Sequence, residues 1–120
     1  MSKLNFIILI IIIVAAGAYI VFFRGEASEN GMVIKMTDDG FEPSIIKIKS
    51  GEMIRFINKS QYWHWPASDL HPTHTLYSEF DSKKPIGPGQ EWDFKFEKKG
   101  EWGFHDHLSP YVTGKIVVGE

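Results

Sequence analysis

The chain has 120 residues, 13 Lys and Arg against 15 Asp and Glu for a formal net charge of −2, and no cysteine. That length holds one small domain, the near-neutral charge leaves no basic face for nucleic acid, and the lack of thiols removes disulfides and every thiolate-bound metal. Five histidines, all between His64 and His107, are left as the chief metal-ligating side chains. Imidazole is the commonest protein ligand for copper and zinc.

The N-terminus reads Met1-Ser2-Lys3, then an apolar run from Leu4 to Phe23 broken only by Asn5, then Arg24. About 20 residues of helix span the ~30 Å hydrocarbon core, more than the apolar stretch of a signal peptide requires. Ala16-Gly17-Ala18 matches a cleavage pattern, yet the run continues past it to Phe23. An uncleaved transmembrane signal anchor is therefore expected over residues 1–24. Lys3 and the α-amino group before the run, set against Arg24, Glu26 and Glu29 after it, bias the N-terminus slightly to the cytoplasm and place the rest outside it, in the periplasm or extracellular space. Residues 25–31 read as a short polar linker to a domain over 32–120.

From Met32 onward apolar residues recur with period two: Val33–Met36, Ile46–Lys49, Met53–Asn58, Trp92–Phe96, Trp102–Phe104 and Lys115–Val118. Turn signals at Asp38-Asp39-Gly40, Ser50-Gly51, Asn58-Lys59-Ser60, Pro85–Gly89 and Lys98-Lys99-Gly100 separate them. The pattern predicts an all-β domain, an antiparallel sandwich or barrel. Trp65–Gly89, about 25 residues, shows no clear strand pattern and is longer than structureless loops in compact domains usually are, which marks it as functional. Ser68–Ser78 has room for one turn of helix.

That loop carries His71-Pro72-Thr73-His74, two imidazoles in a segment stiffened by proline. His105-Asp106-His107 follows a strand in which Trp102, Phe104 and Asp106 share one parity, so the two histidines project together, about 6.5–7 Å apart at Cα. The spacing suits one metal or two adjacent ones, and isolated surface histidines are the alternative for a lone His-x-His. His64, in the aromatic stretch Tyr62-Trp63-His64-Trp65, reads alone as either a core histidine or a ligand, and beside the two pairs as a ligand. Asp106 is expected to orient an imidazole or cap the turn at Leu108. The four tryptophans are expected in the core and around the site, Met32, Met36 and Met53 in packing, and Glu79 and Asp81 in solvent.

Over nearly its whole soluble length the chain resembles the cupredoxin superfamily. The match runs through Gly40-Phe41-Glu42-Pro43, Ile46–Ile48, Gly51–Asn58, His64, Pro88-Gly89, Phe94–Phe96, Gly100–Trp102 and Gly114–Val118. The resemblance implies a Greek-key β-sandwich, with His64 at the first histidine ligand and Phe104–Val112 on the loop that carries the others. Asp106 stands at the cysteine of that loop and Val112 near the axial methionine, which puts a blue type 1 centre out of reach. His105-Asp106-His107 looks like the His-Cys-His segment of multicopper oxidases, and His71-Pro72-Thr73-His74 like their His-Pro-x-His segment.

The residues and the resemblance together imply a membrane-anchored, extracytoplasmic copper-binding protein. Its non-blue, type 2-like site would use His64, His71, His74, His105 and His107, with zinc as the weaker alternative. Copper handling or electron transfer, with a redox or copper-delivery protein as partner, is the expected role. A small copper oxidase, a superoxide-handling enzyme or a zinc hydrolase using the same histidines is the alternative, as is a β-sandwich interaction domain.

Overall fold

The computed structural model of the chain describes residues 32–120 and Lys3. The anchor expected over residues 1–24 and the linker over 25–31 lie outside the described residues, apart from Lys3. No helix among the described residues is long and apolar enough to cross a membrane.

Eight strands form the domain: β1 (Met32–Thr37), β2 (Gly40–Glu42), β3 (Ile45–Lys49), β4 (Glu52–Asn58), β5 (Pro66–Ser68), β6 (Glu91–Phe96), β7 (Gly100–Asp106) and β8 (Ser109–Gly119). They make two four-stranded sheets, ordered β2-β1-β4-β6 and β3-β8-β7-β5. The alternating sequence pattern is explained by the pleat, which sends every second side chain between the sheets. Ile34 and Met36 of β1, Ile54 and Phe56 of β4, Phe96 of β6, Phe104 of β7 and Ile116 of β8 are fully buried there. The all-β sandwich is thus as the sequence predicts.

Its pairing is not purely antiparallel, as the alternation suggested. β1 runs parallel to β4, and β3 parallel to β8. Period two reports which face is buried and carries no direction. Here the chain crosses from one sheet to the other after β2, β3, β4, β5 and β6, so neighbours in a sheet are often not neighbours in sequence.

The long segment after β5 folds back against β5, where Ser68 N–H donates to the Phe80 carbonyl at 2.7 Å and Ser82 N–H to the Pro66 carbonyl at 3.1 Å. Phe80 plugs it into the core, fully buried, with its ring centroid 4.8 Å from that of Phe96 and 5.4 Å from that of Phe104. Single bridges pair His64 with Ile86 and Ala67 with Asp81. The turn of helix considered over Ser68–Ser78 is replaced by successive turns. Gly114 is required by packing, since a Cβ there would meet the Phe104 ring at 2.4 Å and the Ser44 carbonyl oxygen at 2.8 Å.

Candidate metal centre

β5 is only three residues long, yet it sets the site. Its pairing with β7 puts Ala67 opposite His105 and Pro66 opposite Asp106, and the Asp69 N–H extends the ladder to the Gly103 carbonyl at 3.0 Å. The chain that leaves β5 therefore passes directly beside the His105–His107 end of β7. A register shift between His105 and Asp106 interrupts the β7–β8 ladder at that point. Bulges of this kind commonly re-aim side chains near functional sites.

The outcome is that one nitrogen from each of His71, His74, His105 and His107 falls within 4.8 Å of all the others. His74 Nε2 lies 3.0 Å from His107 Nδ1, and His71 Nδ1 lies 3.3 Å from His105 Nε2. His74 and His105 are buried, His107 is half-buried and His71 is exposed.

Two of the rings are held from behind by carboxylates. His105 Nδ1 donates to Asp69 Oδ1 at 2.9 Å, and His74 Nδ1 donates to Asp81 Oδ2 at 2.9 Å. With the proton on Nδ1, each Nε2 lone pair faces the cluster. Asp81 also accepts the Trp65 indole N–H at 2.7 Å and the Lys83 backbone N–H at 2.7 Å. Burial pushes the Asp81 carboxyl up, but these donors together outweigh it and hold the group below its ordinary value. The expectation that Asp81 is a solvated carboxylate is thereby corrected: the His64–Trp65 turn reaches it through the indole. Glu79 is exposed as expected, paired with Lys98 at 3.2 Å.

Backbone and packing fix the rest. His107 N–H donates to the Trp65 carbonyl at 2.7 Å, and its ring centroid lies 4.5 Å from that of Trp65. His74 adopts φ +54°, uncommon outside glycine, with its N–H donating to the Leu70 carbonyl at 2.6 Å. Gly103 admits Asp69, because a Cβ at residue 103 would sit 2.4 Å from Asp69 Oδ2.

His64 stands apart from the four. Its Nδ1 is 2.7 Å from Asp106 Oδ2 and its Nε2 is 2.7 Å from Ser60 Oγ, all three residues being buried. The other Asp106 oxygen accepts the Trp65 N–H at 2.9 Å and the Leu108 N–H at 3.0 Å. Burial raises the Asp106 carboxyl, while His64 and the two backbone donors more than offset it and hold it below the usual carboxylate range. An ionised Asp106 takes the Nδ1–H of His64, and Nε2 can then accept from Ser60 Oγ–H. Asp106 thus both orients an imidazole and caps the Leu108 turn, though the imidazole it orients is outside the cluster.

Of the remaining aromatic and sulfur side chains, Trp65, Trp92 and Trp102 are half-buried and Met36 is buried, as expected. Trp63 and Met53 are mostly exposed. Asp69 had no sequence signal, since its carboxylate is defined only by β5 pairing with β7.

The donor set discriminates between metal classes. A type 1 copper site does not fit, because Asp106 replaces the thiolate and both nitrogens of His64 are already engaged. An all-imidazole ion does fit. Two pairs of these nitrogens, 3.0 and 3.3 Å apart, already match the spacing of ligands around one ion with bonds of about 2.0–2.1 Å, and closing the set, which spans up to 4.8 Å, takes only small movements of the rings.

Comparison with known proteins agrees with this frame. The chloroplast plastocyanin of Tetradesmus obliquus is 26% identical over 113 residues, 87% of this chain and 78% of its own length. A purple cupredoxin from Nitrosopumilus maritimus superposes with a TM-score of 0.64 at 18% identity, covering 73% of this chain and 99% of that one. Amicyanin, solved as the reduced P94F variant, gives a TM-score of 0.66 at 20% identity over 78% of this chain and 87% of its own. A family model described as a cupredoxin-like domain matches residues 5–118, and the chain belongs to that family.

Proposed function

We propose that this chain is a membrane-anchored, extracytoplasmic copper protein that holds the ion by imidazole alone and serves in copper handling. The observation that carries the reading is the convergence of His71, His74, His105 and His107, with Asp69 and Asp81 behind two of them. Copper bound there would supply a redox-active, Lewis-acidic centre of type 2 character. The protein's own part is to present neutral imidazoles, fix two of their tautomers through the carboxylates, and limit water with the half-buried Trp65. The anchor rests on the apolar run Leu4–Phe23, and extracytoplasmic placement on the weak charge bias around it.

Electron transfer is the weaker use of the same site. Rapid transfer favours a centre that hardly rearranges, and Cu(II) prefers tetragonal nitrogen ligation that Cu(I) does not share. The chain has no cysteine, so no thiolate restrains that change. A redox or copper-delivery protein remains the expected partner class.

The test is titration of the full chain in detergent with Cu(II) and Zn(II), followed by electron paramagnetic resonance. One copper per chain with nitrogen hyperfine structure is expected, without a thiolate charge-transfer band. His105→Ala should lose that signal, and His64→Gln should keep it. Binding weaker than about micromolar for both metals, or a signal that His105→Ala leaves unchanged, refutes the site.

A further inference from the structure

The four imidazoles are not held alike. His105 has Asp69 at its Nδ1, and His74 has Asp81 at its Nδ1 together with a backbone bond to Leu70. His107 has its N–H on the Trp65 carbonyl and its ring against the Trp65 indole. His71 is the exposed member. Among the described residues its ring has one hydrogen-bond partner, His105 Nε2 at 3.3 Å, and its ring neighbours are the other three imidazoles. Among the described residues the hydrogen bond and ring neighbours of the His71 imidazole are therefore all other members of the cluster.

We propose that His71 is the exchangeable ligand of the cluster, the edge at which a copper-accepting molecule attacks and through which the ion leaves. The proposal rests on the reading of the cluster as a copper site and adds how the ion moves. An incoming donor needs an open approach and a ligand it can displace. His74 and His105 are buried, and His107 is clamped at both its backbone and its ring. At His71 a lone pair of the acceptor would take the place of the imidazole nitrogen on copper, one bond forming as the other breaks. The ring then turns outward with its lone pair and is hydrated. The remaining three imidazoles would be replaced in turn by further donor atoms of the acceptor, which gives up to solvent any protons those donors carry; no electron moves, and the copper keeps its oxidation state. The acceptor class is a chelating copper binder whose donor atoms reach an exposed ring, a protein loop or a small chelate alike, with the three protein-held imidazoles as the platform it strips.

The experiment loads the full chain in detergent with Cu(II), uses EDTA as acceptor, and follows loss of the ligand-field band in wild type, His71→Ala and His107→Ala. For wild type, the release rate should rise in proportion to EDTA concentration. His71→Ala should still bind one copper, with one nitrogen fewer in its hyperfine pattern, and transfer it about tenfold faster, equivalent to about 1.4 kcal/mol. His107→Ala should weaken binding while leaving release slower than in His71→Ala at every EDTA concentration. A wild-type rate independent of EDTA, or equal acceleration by the two substitutions, overturns the exchange role and leaves the copper site standing. Failure of wild type to bind copper removes both.

Discussion

Asp69 and Asp81 stand behind the histidine cluster and outside it, yet they decide which nitrogen of His105 and of His74 faces into it. Without the carboxylate either tautomer is accessible and the ring is freer to turn, so part of the binding energy goes into ordering it. Asp81→Ala and Asp69→Ala are each expected to lower copper affinity by about 10–100-fold, read by competition titration, with one copper still bound per chain. Gly103→Ala should reproduce the Asp69 effect from the opposite strand, since its methyl group would occupy the place of Asp69 Oδ2. Unchanged affinity in Gly103→Ala would show that Asp69 does not position His105.

At the scale of elements, what could be read in the sequence was what alternates. β1, β3, β4, β6, β7 and β8 each show period two, while β2 and β5 are three residues long and too short to display it. The loss of β5 matters most, because its pairing with β7 brings Asp69, His71 and His74 to His105 and His107. Both histidine pairs were legible as pairs, and the over-long loop as functional. Their convergence is a property of tertiary structure. His64 reads as a ligand from its company and from its place in the family pattern, but Ser60 and Asp106 engage its two nitrogens, and the Asp106 contact spans 42 positions of sequence.

The loop reaches the site because Phe80 anchors it, one residue before Asp81. Phe80→Ala should cost about 3–5 kcal/mol in urea unfolding and also lower copper affinity as Asp81 is released. Ile34→Ala, equally buried but on β1, should cost about 2–5 kcal/mol with copper affinity unchanged. Loss of stability in Phe80→Ala with intact affinity would mean that the loop is held by its other contacts.

For the whole molecule, the four imidazoles come from two segments, the loop between β5 and β6, which carries His71 and His74, and the end of β7 with the turn after it, which carry His105 and His107. The unfolded chain does not bring these together, so copper binds mainly the native state and stabilises it by mass action, about 2.7 kcal/mol when free copper is 100 times Kd. Thermal unfolding should shift upward on copper loading, return on EDTA treatment, and not shift in His105→Ala. Protons compete with the ion for every ligating imidazole, so the increment should shrink between about pH 7.5 and about pH 5. The Asp106 carboxyl does not confuse that window. Its folded-state value lies below the ordinary 3.8, so the stability it confers is complete above pH 3.8 and is lost only as pH falls from there through the lowered value. Asp81 has the same sign. A copper-induced increment that is as large at about pH 5 as at about pH 7.5 would mean that the ion is held by groups other than these imidazoles.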